Sequence, residues 1–304
     1  MFFLKLSVNK LILKSPAKIN LYLAVLDKRK DGYHNIKTVF SRISLHDTIV
    51  LKLRSDGKIN ILTRHKWFPK DPAKNLAYRS AKLLQDTCGV KNGVDISIAK
   101  RIPIGAGLGG GSSNAATVLT GLNKLWKLGL NKDKLARLAS KIGSDVPFFI
   151  RDCRFALAQG RGEKIKPLRS LGKERINHIL VVPDIKVPTP GIYEGWDKGK
   201  YLHHSKLTIV KYNDKILSLG LKKNDPFLLN QFIFNDLEKV TLKLYPVVRK
   251  IKEKLSDLGV KAILMSGSGP AVYGIVSSRK EALVLSRQLK KQANNWRVFV
   301  TETW

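Results

Sequence analysis

The chain has 304 residues, 43% of them hydrophobic and 26% charged, with no low-complexity tract or internal repeat, which excludes a disordered or repeat protein and leaves a folded, water-soluble one with two moderate cores as the working expectation. Its two cysteines, Cys88 and Cys153, lie far apart without a C-x-x-C pattern, so a disulfide framework and a cysteine-rich zinc site are excluded and a reducing, cytoplasmic compartment is expected. The formal net charge of +33 raises a nucleic-acid partner, but the lysines are scattered and never alternate with aromatic residues, so they read as a solvated surface whose field draws anionic ligands.

The opening MFFLKLSVNKLILK is apolar but broken by Lys5, Lys10 and Lys14, and reads as a strand with no long apolar run and no small-residue cleavage site. No run approaches the roughly 18 apolar residues of a membrane span. Residues 4–26 read as a β-hairpin. In its second strand Ala17, Ile19, Leu21, Leu23 and Val25 alternate onto one face, leaving Lys18, Asn20 and Tyr22 on the other. Lys18 is either a solvated strand residue or a cation held for chemistry. Asp31-Gly32 then signals a turn ahead of a strand over 36–43, with Tyr33 and His34 at its entrance. An aromatic ring beside an imidazole suits a heterocyclic base, and equally suits plain hairpin decoration. Short strands are expected over 48–53 and 58–63, a helix over 75–87 and a strand over 94–99.

That strand leads into IPIGAGLGGGSSNAAT, residues 102–117. Glycines at this density let backbone N–H groups converge on an anion, and Ser112, Ser113 and Asn114 favour the start of a helix carrying Ala115, Val118, Leu119, Leu122, Leu125 and Trp126 at helical spacing. A phosphate fits such a helix N-terminus. Gly105, Gly107 and Gly110 match G-x-G-x-x-G, but the next element is a second helix, over 131–142, rather than the strand a dinucleotide fold requires. A P-loop is excluded because the loop contains no lysine. Any catalytic cation must come from elsewhere.

Asp145, in GSDVPFF, stands before a strongly apolar run and is either a general base or metal partner, or a turn cap. A strand over 156–163 follows, a punctuated boundary near 165–175, and a second α/β region starting with a strand over 179–182. Residues 183–190 read as a loop. Helices are expected over 205–209, 227–231, 236–239 and 247–258, strands over 262–265 and 271–276 flanking Ser266-Gly267-Ser268-Gly269-Pro270, and a helix over 280–292. Of six histidines only His203 and His204 are close in sequence, and adjacent side chains point apart, so no histidine metal cluster is expected.

Together, SPAKINLYL, DGYHNIKTVF, the glycine stretch, GSDVPFF, GRGE, NDLE and MSGSGPAVYG resemble the GHMP kinase superfamily of small-molecule kinases nearly end to end. DGYH narrows the resemblance to the branch that phosphorylates the cytidyl diphosphate of methylerythritol in non-mevalonate isoprenoid synthesis, ahead of homoserine and mevalonate kinases and of a basic RNA-binding protein. The resemblance implies an α+β fold of two domains: residues 1–165, an N-terminal ATP-binding α/β domain, and residues 166–304, a ferredoxin-like C-terminal domain. It implies Lys18 and Asp145 as catalytic residues. It assigns the ATP phosphates to Pro103, Ile104, Gly105, Ala106, Gly107, Leu108, Gly109, Gly110, Gly111, Ser112, Ser113 and Asn114, and the substrate to Asn20, Tyr33 and His34. Lys100 and residues 266–269 would line the same region. ATP and Mg2+ are the implied cofactors, with Ser112 a candidate magnesium contact and no acidic residue in the loop-helix segment to supply another. The implied partners are small molecules, with no nucleic acid or membrane, and a monomer or homodimer is expected.

Overall fold

The computed structural model describes residues 3–7, 9–62, 71–171, 175–199, 214–223, 225–292 and 295–304. Its first sheet is built on two long strands, β2 (Lys10–Lys28) and β3 (His34–Arg54), paired antiparallel and hydrogen-bonded on one side to β1 (Phe3–Ser7). Length and three register shifts let each long strand serve different partners along its course. The far part of β3 pairs with β5 (Gly93–Ala99), which pairs with β4 (Ile59–Ile61), while its early part pairs with β6 (Phe155–Gln159) and, through it, β7 (Lys164–Pro167). The strands expected over 36–43 and 48–53 are thus one continuous strand.

One register shift alters the face expected for Tyr22. The shift falls between Asn20 and Tyr22 and resets the alternation, so Tyr22 joins Ala17, Ile19 and Leu21 in one cluster while Leu23 and Val25 enter another. Lys18 and Asn20 remain on the opposite face, yet they are buried, at 4% and 1% exposure. That face is roofed by protein rather than water.

Helices α1 (Leu76–Cys88), α2 (Gly110–Leu125), α3 (Lys132–Ile142) and the short α4 (Val146–Arg151) cover the first sheet and close a core with Leu13, Ile49, Leu51, Leu84, Ile96, Leu119 and Leu122. Asn75 and Asn131 cap α1 and α3 by accepting backbone N–H bonds. Each fully buried Leu or Ile of this kind contributes about 1.5–3 kcal/mol.

A second, antiparallel sheet of order β10-β11-β8-β12 is formed by β8 (Asn177–Pro183), β10 (Ala262–Met265), β11 (Val272–Val276) and β12 (Trp296–Glu302). This is the ferredoxin-like order. Around it lie α5 (Thr189–Lys198), α6 (Asp214–Lys223), α7 (Pro226–Phe232), α8 (Glu238–Leu244), α9 (Pro246–Asp257) and α10 (Arg279–Gln292). The helix expected over 205–209, with His203 and His204, lies outside the described residues. The two halves are sewn together by Ile19, Leu21, Tyr22 and Ile43 against Leu180, Leu264 and Tyr273, and by the two-residue strand β9 (Phe234–Asn235) pairing parallel with β2. Among the described residues no helix is long and apolar enough to cross a membrane.

Candidate active site

The glycine stretch, strand β2 and the loop after β10 converge at the seam between the halves. The Lys18 N–H donates to the Leu108 carbonyl at 3.0 Å, Ser266 Oγ donates to the Gly107 carbonyl at 3.0 Å, and Tyr273 OH donates to the Asn20 carbonyl at 2.9 Å. Gly107 has φ +74°, and a Cβ there would collide with the Ser266 carbonyl oxygen. Gly109 has φ +65°, and a Cβ there would stand 3.0 Å from Lys18 Cγ. These two glycines are required by backbone conformation and by close approach together.

Helix α2 begins earlier than the Ser-Ser-Asn cap expected from the sequence. Its N-cap is Gly109, with no side-chain cap bond, so Ser112, Ser113 and Asn114 sit inside the first turns. Glycine in the left-handed conformation does the turning, so no N-cap side chain is hydrogen-bonded to the first N–H groups of the helix. Ser112 lines the cleft, whereas Ser113 turns inward and shares a 2.8 Å hydrogen bond with Ser15 Oγ.

Below the loop stands Asp47, fully buried and absent from the sequence reading. Its Oδ1 accepts from the backbone N–H of Arg101 at 2.8 Å and of Ile102 at 2.9 Å; its Oδ2 accepts from Asn114 Nδ2 at 2.9 Å and pairs with Lys100 Nζ. Asn114 Nδ2 also donates to Ser15 Oγ at 2.9 Å. The signal that marks it is its place between Leu45 and Ile49 on one face of the strand, where alternation calls for an apolar residue.

The cleft above this floor has a volume of about 1090 Å3 and is lined by Lys18, Asn20, Tyr33, His34, every residue from Pro103 to Ser112, Asn114 and Asp145. Lys100, Gly267 and Ser268 line it as well, whereas Ser266 and Gly269 do not. At its centre Lys18 Nζ donates to Asn20 Oδ1 at 2.7 Å, stands 3.5 Å from Asp145 Oδ2 and lies 5.0 Å from the centroid of the Phe40 ring. Asn20 is oriented by donating through Nδ2 to Thr38 Oγ1 at 2.8 Å. Asp145 occupies the N-cap position of α4 but makes no capping hydrogen bond. Its carboxylate is therefore not committed to the helix.

At the other end Tyr33 is 56% exposed, with the Arg161 guanidinium 5.1 Å from its ring centroid. His34 is buried and stacks on Tyr193, centroids 5.1 Å apart at 22°. Burial, and after it the Asp145 carboxylate, pushes the Tyr193 phenol well above its ordinary value, so it stays a donor. Tyr193 and Asp197, four residues apart on one face of α5, both line the cleft. The proline-punctuated stretch before them, residues 183–190, hides the helix that carries them. Among the described residues no group of three or more His, Cys, Asp or Glu side chains is placed to hold a metal ion.

A backbone anion cradle that borrows its cation from a distant strand, set at the seam of these two sheets, is the construction of a GHMP kinase, a class of ATP-dependent phosphotransferases. The family model for the GHMP kinases N terminal domain matches residues 75–152 and that for the GHMP kinases C terminal matches residues 219–295. The 4-diphosphocytidyl-2-C-methyl-D-erythritol kinase of Geobacillus sp. (strain WCH70) is 45% identical over 267 residues, covering 88% of each chain; that of Shouchella clausii is 43% identical, covering 88% of this chain and 86% of the relative. A crystal structure of 4-(cytidine 5'-diphospho)-2C-methyl-D-erythritol kinase superposes with a TM-score of 0.75 at 30% identity, over 96% of this chain and 99% of the other. Homoserine kinase from Cytophaga hutchinsonii, at TM-score 0.74 and 19% identity over 100% of this chain and 97% of its own, shares the fold. The chain belongs to the 4-diphosphocytidyl-2-C-methyl-D-erythritol kinase family.

Proposed function

We propose that this chain transfers the γ-phosphoryl group of ATP to the 2-hydroxyl of 4-diphosphocytidyl-2-C-methyl-D-erythritol, giving the 2-phosphate and ADP, in the cytoplasm and within non-mevalonate isoprenoid synthesis. The observation that carries the reading is the Lys18–Asp145 pair, 3.5 Å apart in one cleft that the glycine cradle, Tyr33 and His34 also line. ATP phosphates rest on the backbone N–H groups of residues 105–112 and on the positive end of α2. The base of the substrate lies at the aromatic end, against Tyr33, His34 and Tyr193.

With both ligands so placed, the acceptor hydroxyl faces Asp145, which takes its proton as the oxygen attacks the γ-phosphorus. Lys18, fixed by Asn20 and desolvated beneath Gly109, orients the carboxylate and neutralises charge that develops on the transferring phosphoryl oxygens. Phosphoryl transfer asks mainly for alignment and charge compensation, and the missing P-loop lysine is supplied from β2. Mg2+ suits this site as an ion that would arrive on the nucleotide, because the described residues form no cluster of ligands and Ser112 and Asp145 are the oxygen donors the reading places beside the phosphates. Ser112 would hold it, since Ser113 is turned into the core, and the ion would supply charge compensation for the phosphates during transfer.

ADP release measured with a panel of alcohols tests the reading. The cytidyl substrate is expected to support turnover; turnover with homoserine or mevalonate, and none with the cytidyl substrate, would overturn it.

A further inference from the structure

At the base end of the cleft one carboxylate has a role that phosphoryl transfer leaves unused. Asp197 reaches from α5 across to the N-terminal hairpin, where its Oδ1 accepts from His34 Nε2 at 2.7 Å and its Oδ2 accepts from Lys28 Nζ at 2.6 Å. Burial alone would raise the Asp197 carboxyl, but the hydrogen bonds from Lys28 and His34 outweigh it and hold the group below its ordinary value. An ionised carboxylate only accepts hydrogen bonds, so Nε2 of the His34 ring must carry the hydrogen. In a neutral imidazole the other nitrogen is then an acceptor. That nitrogen, Nδ1, makes no hydrogen bond among the described residues, and His34 lines the cleft at 6% exposure with its ring stacked on Tyr193. The ring is held at one face by Tyr193 and at Nε2 by Asp197, and its Nδ1 edge is left for a ligand.

We infer that Asp197 is a positioning residue for base selection: by holding His34 in the Nε2–H form it presents Nδ1 as a fixed acceptor, which takes the exocyclic amino group of a cytosine and repels the carbonyl oxygen that uracil carries there. The inference rests on the cytidyl substrate proposed above and names what makes the site choose it. A cytosine amino group donates where the uracil oxygen only accepts. A uridyl ligand therefore sets two acceptors against each other, and a site built around one hydrogen bond rejects a ligand that cannot make it. Asp197 acts entirely through His34. Without it the imidazole exchanges tautomers, and in the Nδ1–H form it would welcome the uracil oxygen.

Two measurements test this, and the first needs no turnover. Nitrogen NMR of the substrate-free, histidine-labelled enzyme, with His34 assigned by its loss in His34→Gln, is expected to show the Nε2–H form in the wild type and a tautomer mixture in Asp197→Ala and Asp197→Asn. Steady-state kinetics with the cytidyl substrate and its uridyl analogue are expected to show the wild-type preference in kcat/KM falling about tenfold or more in both variants, mainly through KM. A wild-type His34 protonated at Nδ1 overturns the inference, as does an unchanged preference in variants whose spectra are otherwise native. An enzyme that does not phosphorylate the cytidyl substrate overturns the proposed reaction instead, and the histidine spectrum separates that failure from a failure of the tautomer lock.

Discussion

The two ends of the cleft are built on different physics. Under the glycine cradle the carboxylate of Asp47 is fully buried, pairs with a Lys100 side chain that is 6% exposed, and takes two further bonds from backbone N–H groups. At the base end Asp197 pairs with a Lys28 side chain that is 56% exposed, and both its oxygens are spent on side chains. The first arrangement fixes main chain and is hard to change without unfolding what surrounds it. The second fixes rotamers and protons, which water and salt can reach. The glycine cradle thus belongs to the fold, and the far end of the cleft is shaped by adjustable side chains.

The largest effect is expected where the two ends meet. Asp145→Asn should lower kcat by about 10²- to 10⁴-fold while ATP affinity, measured by calorimetry, stays nearly intact, because the base acts in the transition state and the cradle is untouched. Next is a buried group that has none of the partners Asp47 has. His178 is 1% exposed, neither ring nitrogen has a hydrogen-bond partner among the described residues, and burial pushes it down to about 3 from its ordinary 6.5. The unfolded chain therefore binds this proton more tightly. The stability that neutral His178 confers is complete above pH 6.5 and is lost as pH falls from about 6.5 toward 3, by as much as about 5 kcal/mol. Urea midpoints against pH should show that loss in the wild type and a flatter profile in His178→Leu.

Asp47→Ala strands the Lys100 ammonium and two N–H groups in the interior, and should destabilise the fold by about 3–5 kcal/mol in denaturant titrations. The smallest effect belongs to the exposed partner. Lys28→Ala should cost no more than about 1 kcal/mol, read as a rise of a few fold in KM for the cytidyl substrate that shrinks with added salt. A reversed order for Asp47 and Lys28 would undo the contrast between the two ends.

Local chemistry made much of this legible in advance. The helices expected over 75–87 and 131–142, the turn at Gly32 and the glycine-rich loop all follow from residues acting on their immediate neighbours. What stayed hidden depended on partners far along the chain. The phase reset at Tyr22 comes from a bulge against β3, the role of Asp47 from donors more than 50 residues away, and β9 from two residues that pair only because β2 is already in place. Helix α5 was missed because Pro188, Pro190 and Gly191 read as loop punctuation, although proline is well tolerated in the first turn of a helix. For the candidate site, the motif residues could be named from sequence but the residues that orient them could not, since Thr38, Tyr193 and Asp197 carry no local signature.

The most direct test of the central claim is the position of the new ester. The wild-type enzyme would be incubated with ATP and the cytidyl substrate, and the product analysed by phosphorus–carbon correlation NMR. Transfer from the glycine cradle to a hydroxyl held at Asp145 predicts one new phosphate, on the C2 oxygen of the methylerythritol unit. A phosphate on another hydroxyl, or no ester formed while ATP is hydrolysed, would contradict it.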